Sequence, residues 1–175
     1  MIAAALFGLA ACNSSTPGTA TGGDTNSPTT GSGGGGGVST ASLQPCDLLS
    51  SAEAGQLQLT PGGPVNEGAA RACTWQKAVD INGQNGYGVE IGIRDSQGLD
   101  SINTAGYTIT NDNVGKHSGK QGALNAGGGC LVAIGVGSSA RVDVTISAGT
   151  DTNQACQFAN QVAALVEPRL PGGGS

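Results

Sequence analysis

The sequence predicts an α+β domain: an antiparallel β-sheet of about five strands, with an N-terminal and a C-terminal helix packed on it, held by two disulfides. Three observations predict it. Apolar residues alternate with polar or small ones in adjacent pairs of runs joined by Gly/Asn turns. Helical periodicity is strongest near the two ends of the domain, with no strand–helix–strand alternation between. Four cysteines, Cys46, Cys73, Cys130 and Cys156, remain to pair once Cys12 is assigned elsewhere.

That assignment comes from Leu9-Ala10-Ala11-Cys12, which ends the apolar run of residues 2–11. The run is too short to span a bilayer, which takes about 20 residues, and fits the apolar segment of a signal peptide. Small residues before a Cys make a lipobox, so residues 1–11 are expected to be cleaved and Cys12 to carry a diacylglyceryl group. The first cation in the chain is Arg71. A signal peptide needs basic residues before its apolar run, so the true start is expected upstream of Met1. Two or three acyl chains, at about 0.8 kcal/mol per methylene, hold a protein stably on a membrane.

Residues 13–42 are Ser, Thr, Gly, Pro and Asn with one acid, Asp24, and almost nothing apolar. Such a stretch cannot recover its ordering entropy by burial, so residues 12–42 are read as the lipidated Cys and a disordered linker. Its r.m.s. reach is roughly 30 Å. One folded domain is expected over residues 43–171, followed by a disordered tail over 172–175.

In that domain Ser50 and Glu53 have capping-box spacing and predict a short helix to about Leu57. Pro61 and Pro64, with Gly62 and Gly63, end it, and residues up to 70 carry only turn chemistry. Residues 72–81 alternate, with Cys73, Trp75, Val79 and Ile81 on one face. After the turn at residues 82–86, Tyr87, Val89, Ile91 and Ile93 alternate more cleanly, giving a β-hairpin with Trp75 in its core. A short helix is expected within residues 95–103, then a strand over 107–110. Residues 111–129 read as a long loop interrupted by a brief strand at 122–124. Cys130, Val132, Ile134 and Val136, then Val142, Val144 and Ile146, predict a second hairpin. Asp151 and Gln154 open the closing helix, whose stripe is Ala155, Phe158, Ala159, Val162 and Val166, and Pro168 and Pro171 end it.

The four domain cysteines admit three pairings. Cys46 with Cys73 and Cys130 with Cys156 is favoured, because each bridge fastens a helical segment to the sheet and needs no contact between the two helices. Cys46 with Cys156 and Cys73 with Cys130 is the alternative.

Cys12, the linker, the run Pro45-Cys46-Asp47-Leu48-Leu49-Ser50-Ser51-Ala52-Glu53-Ala54, the Cys73-Thr74-Trp75 strand and the late Cys130 and Cys156 elements resemble domain of unknown function 3558. The likeness spans the chain. It implies an actinobacterial cell-envelope lipoprotein anchored on the outer face of the cell membrane, and supplies no catalytic residue to carry over.

Composition narrows the partners. Seven Lys and Arg against twelve Asp and Glu give a net charge of −5, which disfavours nucleic acid. Gly115-Lys116-His117-Ser118-Gly119-Lys120 is one residue short of a phosphate loop, with Gln121 where its Ser or Thr belongs. His117 is therefore read as a solvated loop residue. One His and no C-x-x-C make no conventional zinc site, and no other metal or cofactor is expected. Asp95, Asp100, Asp112, Asp143 and Asp151 fall on expected turns, caps and outer faces. The expected function is a non-catalytic binding or accessory module of the envelope, whose partner is a protein, a polymer or a small ligand. A carrier of apolar ligands is the alternative, marked by an apolar cavity of about 300 Å³ or more between sheet and closing helix. An enzyme is the second alternative, marked by titratable groups converging in one cleft.

Overall fold

Seven strands form one wholly antiparallel sheet in the order β1-β2-β3-β7-β6-β5-β4. They are β1 (Gly63–Glu67), β2 (Ala70–Lys77), β3 (Tyr87–Arg94), β4 (Tyr107–Val114), β5 (His117–Leu124), β6 (Gly129–Val136) and β7 (Ala140–Ser147). Two helices accompany them, α1 (Ser51–Gln56) and α2 (Thr152–Val166). The computed structural model describes residues 38–82 and 85–172, all within one compact unit, Gly35–Ser175. The expected signal peptide, Cys12, most of the linker and the end of the tail lie outside the described residues.

Strand pairing puts Cys73, Trp75, Val89, Ile91, Val144, Ile146, Cys130 and Val132 on one face of the sheet, all buried. Helix α2 lies across that face over β6 and β7 with Ala155, Ala159, Val162, Ala163 and Val166 buried. Its N-cap is Asp151, whose side chain accepts from the Gln154 N–H. Phe158 stacks on Tyr87 with ring centroids 4.3 Å apart.

At the other end of the same face the expectation of a packed N-terminal helix needs correction. Helix α1 has six residues and the expected Ser50–Glu53 capping box. What lies against β2 and β3, however, is the preceding 3-10 turn Pro45–Asp47. Leu48 and Leu49, just after that turn, are buried. Six residues offer too few turns for an apolar stripe, so the burial falls to the turn before them.

The strand count is also higher than expected, for two reasons. Residues 63–67 pair with β2 as an edge strand despite Pro64, because an edge position leaves one side of the backbone unpaired. Residues 111–124, read as a loop, instead complete the hairpin β4–β5, which turns at Gly115 with φ +57°. Their Asn, Gly and Ser side chains carry no period-two signal, yet backbone pairing to β6 anchors the hairpin. Helical structure in the 95–103 segment shrinks to one 3-10 turn, Leu99–Ser101. Val79 and Ile81, expected inside, are 61 % and 102 % exposed because β2 ends at Lys77.

The folded contacts also begin earlier than Leu43. Thr40 is buried and donates to Asp95 Oδ1 at 2.6 Å. Arg71 pairs with Asp95 and donates to the carbonyls of Leu43 and Thr40, which lashes this entering segment to β2.

Candidate functional site

The structure joins Cys46 to Cys73 and Cys130 to Cys156, the pairing favoured by the sequence. The first bridge forms part of the wall of a crevice of about 310 Å³ between α1, the segment 59–62 and β2. Leu49, Ala54, Leu59 and Pro61 supply apolar walls, and Trp75 closes one side. The backbone around it is held on both flanks. The Leu59 N–H bonds the Ala54 carbonyl, closing the chain behind α1, and Thr60 is hooked to Gln76 through its own N–H and its Oγ1. Gly62 is required by contact, since a Cβ there would sit 2.4 Å from Trp75 Nε1 and Cε2.

Trp75 is only 3 % exposed, and its indole N–H makes no hydrogen bond among the described residues. No buried side-chain nitrogen or oxygen among those residues lacks a partner. Nε1 therefore keeps accessible surface, and the ring edge that carries it lies against Gly62 on the crevice wall. No Asp, Glu, Lys, Arg or His lines the crevice. Under the closing helix, where the carrier alternative expects a cavity, the inward side chains of α2 are buried.

His117 is the principal correction to the reading of single residues. It is 4 % exposed, not solvated. Nδ1 lies 2.9 Å from Glu167 Oε1, and Nε2 lies 3.3 Å from the Pro171 carbonyl oxygen. Both ring nitrogens thus meet oxygens, and both bond at once when the ring carries two protons. The Lys116 N–H also donates to Glu167, and these bonds hold the Glu167 carboxyl below the usual range. A cleft of about 410 Å³ adjoins His117, with Ser118 on its lining. Adjacent residues of a strand point to opposite faces, so the Ser118 hydroxyl faces away from the imidazole. The arrangement clasps the end of the chain to the β4–β5 hairpin.

Asp143 also departs from the expected solvated outer face. It is buried between Arg94 Nε and Arg141 Nε, each 2.7 Å from one carboxylate oxygen. Arg141 then donates to the carbonyls of Gln97 and Gly98, which pins the 95–106 crossover onto this side of the sheet. The remaining acids stay apart: Asp100 pairs with Lys120, Asp112 lies in β4 rather than a turn and accepts from the Asn113 N–H, and Asp151 caps α2. Among the described residues no group of three His, Cys, Asp or Glu is placed to hold a metal. No described helix is long and apolar enough to cross a membrane.

The profile of a family described as a protein of unknown function, DUF3558, matches residues 7–169. The chain belongs to the DUF3558 family. No curated protein and no solved structure matches it. Both disulfides, the Trp75 strand and the whole crevice fall inside the matched span of this DUF3558 chain. Sequence reasoning singled out Trp75 and the cysteines but missed the crevice, which exists only once segments 46–62 and Trp75 are brought together.

Proposed function

We propose that this DUF3558 protein is a non-catalytic binding module of the cell envelope, tethered to the outer face of the cell membrane through a diacylglyceryl group on Cys12. The sequence Leu9-Ala10-Ala11-Cys12 supports the tether. Two disulfides are in keeping with an oxidising compartment. The observation that carries the binding role is the preformed crevice at Trp75, which is of a size and apolar character that suit small ligands. In the His117 cluster, by contrast, both ring nitrogens are already turned to oxygens of the protein itself.

Replacing Cys12 with Ala tests the tether: the protein should shift from the membrane fraction to the medium or accumulate as unprocessed precursor. Unchanged membrane association and processing would remove the lipoprotein reading. Native mass spectrometry of the protein released from its own membrane tests the binding role by looking for a retained small ligand. Retention of the same ligand by a variant whose crevice is filled would place binding elsewhere.

A further inference from the structure

Resting on the reading of the crevice as a binding site, we infer that its occupant is a compact, uncharged molecule whose oxygen acceptor takes a hydrogen bond from Trp75 Nε1. The charge follows from the lining. An ion entering the crevice would shed hydration and find the Ser51 and Thr60 side chains but no counter-charge, a net penalty. The nearest carboxylate on α1, Glu53, is turned to Ser50 and Arg169 and is not part of the wall.

The acceptor follows from the indole. A donor on a side chain only 3 % exposed, in a crevice whose uncharged walls include the Ser51 and Thr60 side chains, gains most from a partner that water supplies poorly in a narrow space. Its edge is fixed in place by Gly62 on one side and by the β2 strand that carries it. The oxygen of an amide, ester or ketone fits this donor, and the apolar body of the same molecule fits Leu49, Leu59 and Pro61.

Trp75 is the only tryptophan in the chain, so one indole N–H resonance reports on the crevice. The full chain carrying Cys12→Ala is titrated with benzamide, benzoate and toluene, three probes of similar size that differ in charge and in acceptor. Benzamide should move the indole N–H resonance saturably, with benzoate and toluene at least about tenfold weaker. Gly55 lines the crevice on an exposed turn of α1, and a Cβ there meets nothing within 4 Å. Gly55→Leu should therefore fill the space without disturbing the fold and abolish the shift. Trp75→Phe, followed through the Gly62 amide, should reduce benzamide to the level of toluene.

Equal binding of toluene and benzamide, or an unchanged preference in Trp75→Phe, would overturn the acceptor while leaving the crevice as a site. Benzoate binding as tightly as benzamide would overturn the neutral class. No saturable shift with any probe, or shifts that survive Gly55→Leu, would remove the underlying reading of the crevice.

Discussion

The two disulfides are closely matched, but the regions around them are not. They span sequence separations of 27 and 26 residues with Cα–Cα distances of 5.1 and 4.9 Å, and each ties a flanking segment to the same face of one sheet. Cys156 stands on a fifteen-residue helix whose inward Ala and Val side chains are buried along its length. Cys46 stands on a three-residue turn followed by a six-residue helix, and a crevice remains beside Trp75. A covalent tie fixes where a segment lies, whereas the length of its apolar stripe decides how completely it seals the sheet. The crevice forms where the cover is short.

The largest expected effect tests the part the two regions share. Replacing Cys46 and Cys73 together by Ala, or Cys130 and Cys156 together, should each cost about 3.5 kcal/mol in the chain-entropy model, because the closed loops are nearly equal. Urea unfolding of the two double variants measures it. Costs that differ by more than about 1.5 kcal/mol would show that the bridges act through their surroundings rather than through loop closure.

Enlarging one alanine on each side sharpens the difference. Ala159→Leu adds volume where no space remains and should cost about 1–3 kcal/mol, whereas Ala54→Leu can grow into the crevice and should cost less than about 1 kcal/mol. The same unfolding assay decides, and equal costs would mean that both regions are equally filled. His117→Ala probes the fastening of the chain end on the α2 side. Loss of the buried ring and its bonding to Glu167 or Pro171 should cost about 2 kcal/mol, and a change within about 0.5 kcal/mol would return His117 to the status of a surface residue.

The smallest effect concerns acid. Glu53 and Asp95 are held below their usual ranges, Glu53 foremost by the Ser50 hydrogen bond and also by Arg169, and Asp95 foremost by Arg71. Glu167 is held low by Lys116 N–H and His117. A lowered carboxyl stabilises the fold above its unfolded value and loses that contribution as pH falls through its folded value. Melting temperature should therefore hold between about pH 7 and 5 and decline below about pH 4. Arg169→Ala removes the ion pair joining the chain end to α1, which should make the decline shallower and complete it at higher pH. An unchanged profile would show that the pair is fully screened by solvent.

The sequence made the aliphatic strands and the closing helix legible and left the strands of small and polar residues obscure. In β3, β6 and β7 the buried side chains are mainly Val and Ile at regular spacing, and in α2 Ala and Val, so period and burial coincide. Strands β1, β4 and β5 are built from Gly, Pro, Asn, Ser and Thr, and their place comes from backbone pairing to neighbours that no local period reveals. His117 shares that difficulty, since Lys116, Ser118 and Lys120 around it look solvated while the ring turns inward to Glu167, fifty residues away. The disulfide pairing was readable because each bridge is local. The crevice was not, because it depends on how far a six-residue helix fails to reach.

Val38 and Gly172 stand side by side, so close that a Cβ on Gly172 would sit 2.6 Å from Val38 Cγ2. The chain therefore enters and leaves the fold at one pole, where the β6–β7 and β4–β5 turns also lie. The β2–β3 turn and the segment 60–62 occupy the opposite pole, on the order of 25 Å away along eight-residue strands. A domain suspended by residue 38 would present Trp75 and its crevice outward, away from the point of suspension. A short Gly/Ser bridge from residue 172 to residue 38 would close the backbone into a ring, and new ends opened at residues 83 and 84 would yield a circular permutant that hangs the other way up.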